Sequence, residues 1–442
     1  MTAASFNIEC NWLGESGVET DKVYASCRAG IQLSVNGKVL TRVEDLLANT
    51  NRDHVYANAY VLACWFASNW WRLRWEPEYK KNVEWRLSHS MASVGYGYSW
   101  PGIEFASDGE RMGILCHASP SRVMGSVRYL KGASLVIPVG HFEQGVDEFL
   151  EQTLGRLRSM GHERTELEQL WTEVLRERSS EELGAWRRLE ALCGFDPEEA
   201  PESLVMELIR DPASLGKNAL EEVAAHSRHK TLETLGILKE YADHAYPAEG
   251  FHYRHPEPLP LHELNLSGLR PWERGREVAK VARNTWNLER TRPVSNMNLS
   301  DIFRTAKKNF KDTTSTSNPP MPITVRRKRG SGSDMYIGSG WQTTRRFTAC
   351  RLLGGWLSQS NSPERLIPAT EAKTSRQQFL RAFAQEFLCP FEALKEHLQT
   401  DNPSDEQIDD AAQHFGVSPL MVRTILVNKG ILGQDELTDA VS

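Results

Sequence analysis

The sequence lacks most of the patterns that assign a function directly. None of its seven cysteines stands in a CxxC pair, so we predict neither a zinc ribbon nor a disulfide framework, and a reducing cytoplasm is the expected compartment. No run of about 18 apolar residues is present, and neither a transmembrane helix nor a membrane partner is therefore expected. Residues Met1 to Trp12 lack the basic and apolar regions of a secretory signal. P-loop and GxGxxG phrases are also missing, which argues against the common nucleotide-binding motifs.

A dominant charge of one sign is missing as well. The net charge is −6 over 442 residues, which gives no general attraction to nucleic acid. The charges are unevenly spread, however, because residues 304–351 hold eleven Lys and Arg against two Asp. Acidic residues concentrate instead between positions 143 and 202. The sequence therefore predicts a local basic surface on an otherwise acidic protein.

Tryptophan, in contrast, is abundant near the start. Seven of the thirteen tryptophans lie in the first 100 residues. Alternating apolar residues around Asn36-Gly37 and around Asp108-Gly109 predict two hairpins, and Val55 to Trp75 is predicted to be a helix. Residues 1–142 are accordingly interpreted as a Trp-rich α+β domain whose role the residues do not identify.

Several polar residues stand among these rings, and they allow two interpretations. Clustered tryptophans are typical of a packed core, and they also occur at binding faces. As a ligand face, Arg72, Arg74, His89 and Asp108 would stack on a base or hold an anion. As structural residues, the arginines would pair with nearby acids and His89 would be a hydrogen-bonded core residue.

The remainder of the chain is predicted to be mainly helical. Helical spacing of apolar residues between 143 and 245 predicts a helical domain. The proline-containing stretch 246–271 is predicted to be a linker. Residues 272–434 follow as a further domain, with helices, two short strand candidates and a buried helix at Arg345 to Leu357. The expected fold class is therefore α+β with more helix than strand.

Three phrases occur in order within this last domain. Arg346-Phe347-Thr348 opens a helix, Phe383 to Pro390 ends the next long helix, and Ile408 to Ser418 leads on to Val422. These phrases resemble those of the ImmA/IrrE family of zinc-metallopeptidase-like proteins. The resemblance implies a zincin-like domain that ends in a segment with helix-turn-helix character.

The resemblance also implies catalytic machinery that this sequence has lost. The family's HExxH motif places two histidines one helical turn apart to bind Zn²⁺, with a glutamate as general base. The matching positions are Arg351, Leu352 and Gly355, and none of them can bind zinc or accept a proton. The family's third ligand would fall near Gln377 to Phe379, where no acid stands. We therefore expect a degenerate motif, a pseudo-peptidase without metal, cofactor or catalytic residue.

A rebuilt metal site is the alternative to this interpretation. Cys350, Glu386 and His414 are the ligands that such a site would use. It would make the protein an active metallopeptidase.

Two segments are candidates for binding nucleic acid or a partner protein. The first is the basic cluster Arg326, Arg327, Lys328 and Arg329, a typical phosphate-binding pattern. In the helix-turn-helix-like segment, Arg423, Asn428 and Lys429 are the residues expected to reach DNA. Acidic residues in the first helix of that segment would repel phosphate.

We therefore expect a non-catalytic prokaryotic regulatory protein that binds a partner protein or nucleic acid. A setting in phage defence or on mobile elements is implied by the resemblance, because family members act beside repressors and toxins. An active metallopeptidase and a DNA-binding transcriptional regulator are the alternatives. The sequence predicts neither the partner's identity nor the oligomeric state.

Overall fold

The structure is a computed structural model of the chain. It describes residues 5–14, 21–79, 82–120, 125–210, 215–244, 246, 249–257, 259–261, 264–311, 319–327, 332–338, 340–359, 364–433 and 437. Helix accounts for 52% of the structure and strand for 17%, so the predicted α+β class with an excess of helix is confirmed. Within the described ranges, no helix combines the length and the apolar character that crossing a membrane requires.

The chain divides into two compact units. The first comprises residues 1–209 with 372–374, and the second comprises residues 210–371 with 375–442. Each unit has a hydrophobic core of its own. These borders differ from the predicted ones at 142, 245 and 271, for reasons that the packing of each unit shows.

The first unit contains three small antiparallel sheets, ordered β1-β2-β3 with β6 also on β2, β10-β8-β7 and β5-β4-β9. Their strands are β1 (Phe6–Trp12), β2 (Arg28–Val35), β3 (Lys38–Val39), β4 (Val43–Asp45), β5 (Thr50–Arg52), β6 (Val55–Asn58), β7 (Gly102–Ser107), β8 (Arg111–His117), β9 (Val127–Tyr129) and β10 (Ala133–Pro138). Both predicted hairpins are confirmed. The β2–β3 turn passes through Asn36 and Gly37 with φ of 50° and 75°, the left-handed conformation that Asn-Gly adopts readily.

The helices of the first unit are α1 (Lys22–Ser26), α2 (Ala59–Ser68), α3 (Trp70–Trp75), α4 (Val83–His89), α5 (Val139–Ser159), α6 (Glu166–Ser179), α7 (Glu181–Leu192) and α8 (Glu202–Arg210). The predicted helix at Val55 to Trp75 is only partly correct, because residues 55–58 pair with β2 as a strand. Asn58 then caps α2, its side-chain oxygen accepting a hydrogen bond from Tyr60 N at 3.0 Å.

No domain border lies at residue 142. Helix α5 crosses that position, and Phe142, Val146 and Phe149 are buried in the same core as the preceding strands. The helix also approaches β1 closely, since a Cβ atom on Gly145 would lie 2.0 Å from Phe6 O. The strands and the helices that follow them therefore fold as one unit.

The second unit contains one antiparallel sheet in the order β11-β13-β12-β14. Its strands are β11 (Phe251–Tyr253), β12 (Ile323–Arg326), β13 (Ser333–Tyr336) and β14 (Leu366–Pro368). Its helices are α9 (Lys217–Ser227), α10 (Thr231–Asp243), α11 (Pro271–Thr285), α12 (Asn296–Phe303), α13 (Gln342–Ser358), α14 (Ser375–Leu388), α15 (Phe391–Leu398), α16 (Asp405–Phe415) and α17 (Pro419–Asn428). The stretch 246–271 is not a linker, because it supplies β11 and its Tyr253 is fully buried.

The predicted buried helix is α13. Ala349, Cys350, Leu352 and Leu353 are all fully buried in the core of the second unit, so the expectation of a core helix is confirmed. The helix-turn-helix-like segment is also present as α16 and α17. Gly416 makes the turn with φ of 62°, and Ser418 Oγ accepts a hydrogen bond from Met421 N at 3.2 Å.

Candidate functional site

Arg351, Leu352 and Gly355, the positions that the resemblance matches with the HExxH motif, lie in the interior of the second unit. Leu352 is fully buried and packs in the hydrophobic core. Arg351 is buried to 4% exposure, although it carries a guanidinium group. A buried charge is costly unless it is paired and hydrogen-bonded, so the partners of Arg351 decide what this position does.

Gly355 marks a close contact between two elements. A Cβ atom built there would lie 2.6 Å from Ile367 Cγ2 and 3.6 Å from Leu380 Cδ2. The missing side chain is thus what allows β14 and α14 to approach α13. An imidazole has no room at this position, and the second zinc ligand of an HExxH helix does not fit here.

Arg351 instead anchors a polar network. Its Nη1 donates to Glu371 Oε1 at 3.0 Å, and its Nη2 donates to Gln377 Oε1 at 2.9 Å and to the carbonyl oxygen of Thr370. Gln377 lies in the first turn of α14, where the family's third ligand was expected. The structure therefore brings Arg351 and Gln377 together, with a guanidinium and an amide in contact. These are the two positions that the resemblance matches with the family's first and third ligands.

A second layer of the network comes from a distant helix. The amide nitrogen of Gln377 donates to Glu222 Oε2 at 2.9 Å and to Pro368 O at 3.2 Å. Its oxygen also accepts from Thr370 N at 3.0 Å. Glu222 lies on α9 and is buried. Sequence reasoning missed Glu222 because its helix was assigned to a different domain.

The charges of this network balance locally. Burial lowers the pKa of Arg351, and the nearby carboxylates of Glu371 and Glu222 act in the opposite direction. Arg381 donates to Thr370 O at 3.1 Å, and burial together with the charge of Arg351 lowers its pKa to about 10. Two guanidinium groups therefore face two carboxylates, a set of groups that holds α9, α13 and α14 together and offers no ligand set for a cation.

The residues of the alternative metal site do not form one. Among the described residues, no three His, Cys, Asp or Glu side chains gather where they could hold a metal ion. Cys350 is fully buried in the hydrophobic core, and burial raises the pKa of its thiol to about 12. Burial also raises the pKa of Glu386. The rebuilt site that Cys350, Glu386 and His414 would form is therefore not supported.

The basic cluster is only partly described. Lys328 and Arg329 lie outside the described residues. Arg327 forms a two-point ion pair with Asp334, with Nε to Oδ2 at 2.9 Å and Nη2 to Oδ1 at 2.7 Å. His252 Nδ1 lies 3.2 Å from the same carboxylate. Arg326 is half-buried at the end of β12, so neither described arginine is a solvent-exposed cation free of structural contacts.

The predicted DNA-reading residues also have intramolecular contacts. Arg423 Nη2 donates to Asp405 Oδ1 at 2.8 Å, which joins α17 to α16. The ammonium of Lys429 lies 4.4 Å from the ring centroid of Phe391. Asn428 is exposed at the end of α17. Arg423 thus joins the two helices of the segment, and Lys429 contacts α15, the helix that precedes them.

The proposed N-terminal ligand face is not an exposed face. Arg72 is buried, with Nε donating to Glu76 Oε2 at 2.7 Å and Nη1 donating to Asp196 Oδ1 at 3.2 Å. His89 is fully buried and stacks on Trp85 with ring centroids 4.2 Å apart. Of the two interpretations that the sequence allows for these residues, their contacts favour structural residues over a ligand face.

The other two residues of that group support turns and helix contacts. Arg74 pairs with Glu143, and its Nη1 donates to Gly109 O at 3.0 Å. Asp108 Oδ1 accepts hydrogen bonds from Glu110 N and Arg111 N at 2.9 and 2.7 Å. The second of the two interpretations, in which the polar residues are structural, is the one that these contacts favour.

No protein-family model, no curated protein and no solved structure gives a significant match to the chain.

Proposed function

We propose that the second unit is a non-catalytic, metallopeptidase-like domain that acts by binding a partner protein. The single observation that carries the proposal is the 2.9 Å contact between Arg351 and Gln377. These are the two positions at which the family resemblance expects the first and third zinc ligands. A guanidinium cation takes the place of the metal cation, and hydrogen bonds take the place of coordination.

The residues around this contact do not fit a zinc ion. Arg351 has no lone pair to give, Leu352 cannot accept a proton, and Gly355 has no space for a ligand. Because the network also ties α9 to α13 and α14, it stabilises the fold in the way a structural metal does. No hydrolytic step is assigned to these residues.

A partner protein is favoured over DNA because the candidate DNA-reading cations are engaged within the chain. Arg327, Arg423 and Lys429 contact Asp334, Asp405 and Phe391, and each contact would have to be given up to reach phosphate. A regulatory role in phage defence or on mobile elements in prokaryotes belongs to this proposal through the resemblance alone.

Zinc analysis of the purified full-length protein tests the proposal. We expect far less than one zinc per chain after purification in zinc-supplemented medium. The variant Arg351→His/Leu352→Glu/Gly355→His restores the motif in sequence, and we expect it to gain no stoichiometric zinc, because Ile367 occupies the space of the second ligand. Near-stoichiometric zinc in the unmodified protein would overturn the proposal.

A further inference from the structure

A large apolar side chain of the second unit lies exposed at the start of α13. Trp341 directly precedes the helix and is 76% exposed. Met297, in the first turn of α12, is 52% exposed. Tryptophan is the residue type most enriched among the side chains that dominate protein interfaces, and exposing both side chains to water costs free energy.

A hydrogen bond joins the two chain segments that carry these side chains. Asn296, the neighbour of Met297, donates from Nδ2 to Oε1 of Gln342, the neighbour of Trp341, at 3.1 Å. Arg346 Nη1 donates to Asn296 Oδ1 at 2.5 Å, which clamps α12 to the first turn of α13. The backbone positions of Met297 and Trp341 are therefore fixed relative to each other by contacts within the unit.

The same turn of α13 also fixes a basic segment. Arg345 Nη2 donates to Asn309 O at 2.9 Å, which ties the short 3-10 helix Lys307–Phe310 to α13. Lys307 and Lys308 are exposed on that 3-10 helix. Arg304 and Lys311, on either side of it, are exposed as well.

The segment that begins with α12 and ends after the 3-10 helix carries an excess of positive charge. Residues 296–311 carry four Lys and Arg against one acid, Asp301. The first turn of α13 contains no acidic residue. The edge of this surface is therefore complementary to negative charge.

We propose that an acidic segment of a partner protein binds a surface formed by Trp341, Met297, Lys307 and Lys308. We call it the Trp341 surface. The indole and the thioether would receive one or two apolar anchor side chains, and the lysines would face Asp or Glu on either side of the anchor. This inference rests on the proposed function, because it names the partner class through which the non-catalytic domain acts.

The chemistry of the surface favours a protein over a nucleic acid. Met297 is a flexible apolar side chain, suited to packing against other side chains. Asp301 is exposed one helical turn after Met297 and would repel a phosphate backbone at the centre of the surface. A polypeptide can place an uncharged or basic residue opposite Asp301, whereas a regularly charged nucleic acid backbone cannot.

Peptide selection on the full-length protein tests the inference. The immobilised protein is presented with displayed random peptides of about 12 residues, and selected peptides are then synthesised and measured by fluorescence anisotropy. We expect the selected peptides to combine Asp or Glu with an apolar anchor. Trp341→Ala should weaken their binding about 30-fold, the effect of losing a central interface residue. Lys307→Glu/Lys308→Glu should weaken it about tenfold and reduce its salt dependence.

Matched variants separate the surface from general effects. Leu420→Ala removes another exposed apolar side chain of the same unit, and Lys395→Glu reverses another exposed lysine. Both should bind the selected peptides as the unmodified protein does. Failure to select acidic peptides, or equal binding by the Trp341→Ala variant, overturns the inference.

The same experiment tests nucleic acid as the alternative class of partner. Binding of an oligothymidylate of about 20 nucleotides that is lost in the Trp341→Ala variant would replace the acidic protein segment with a nucleic acid and overturn the inference. Zinc content is measured on the same preparations. Stoichiometric zinc with acidic-peptide binding intact would overturn the proposed function and leave the Trp341 surface standing, so the two failures can be told apart.

Discussion

Replacing Arg351 by methionine probes the polar network around this buried guanidinium group. Methionine fills much of the space of the arginine side chain but carries no charge and donates no hydrogen bond. The change removes the donors to Gln377 Oε1 and Thr370 O, two buried acceptors. It also removes the pair with Glu371, whose side chain is 75% exposed and adds little.

The size of the effect follows from what the remaining groups retain. Breaking a buried, hydrogen-bonded charge pair typically costs about 3–5 kcal/mol. Here Gln377 Oε1 keeps the donor Thr370 N, and Thr370 O keeps the donor Arg381. Because neither acceptor is left without a partner and the pair with Glu371 is exposed, we expect a smaller loss than this. It should be about 1.5 kcal/mol in the free energy of unfolding of the second unit, the low end of what hydrogen bonds to a charged group contribute.

The assay must resolve one unit from the other, since a chain with two compact units need not unfold in a single step. Hydrogen exchange measured by mass spectrometry across a urea series reports the opening free energy of peptides from α13 and α14 separately from those of the first unit. The control is Arg292→Met. It removes an exposed arginine whose ion pair with Glu289 is also exposed, and we expect a change within about 0.5 kcal/mol.

A double-mutant cycle adds a second criterion. If Arg351 and Gln377 act as one network, losing Gln377 should cost less once Arg351 is gone, with a coupling free energy of about 1 kcal/mol or more. A loss below about 1 kcal/mol for Arg351→Met, or additive effects of the two substitutions, would falsify the idea that this network stabilises the unit.

Two further predictions follow from buried contacts. Gly355→Ala should destabilise the second unit by about 1–3 kcal/mol, because the new Cβ atom would meet Ile367. The control is Gly236→Ala in α10, which should stabilise the unit by about 0.5–1 kcal/mol because the new atom has open space around it. Equal effects of the two substitutions in urea unfolding would refute the close-contact argument. Burial lowers the pKa of His89 from its ordinary 6.5, so below pH 6.5 the unfolded chain takes up a proton that the folded state excludes, and stability falls as the pH falls. Comparing unfolding at about pH 7.5 and about pH 5.5, His89→Phe should show a smaller loss than the unmodified protein, and an unchanged loss would contradict this assignment.

Local patterns predicted most of the secondary structure of the second unit. Helical spacing and helix caps depend on residues within a few positions of one another. This is why the sequence predicted α13, the helices that contain the second and third phrases (α14 and α16), and the cap at Ser418. The Asn36-Gly37 hairpin is of the same kind. The error at Val55 to Trp75 arose because the pairing of Val55 with β2 is not a local property.

The polar residues were harder to interpret than the apolar ones. A guanidinium next to tryptophans has the same sequence pattern whether it binds a ligand or a buried acid. The sequence left both interpretations open for Arg72, because the positions of Glu76 and Asp196 beside it depend on the fold. The sequence did not indicate Trp341 as a candidate binding residue, because the exposure of its side chain depends on how the surrounding helices and strands pack.

The sequence by itself determined that α13 is a core helix without a zinc motif, since the identities of Arg351, Leu352 and Gly355 settle which chemistry is impossible. Only the tertiary structure decided which groups surround these three positions. When α9, α13 and α14 pack together, Arg351 becomes buried, β14 approaches Gly355, and Gln377 donates a hydrogen bond to Glu222. The physical reason is that the identity of a side chain is given by the sequence at one position, whereas the partners of a buried charge depend on how distant segments pack together.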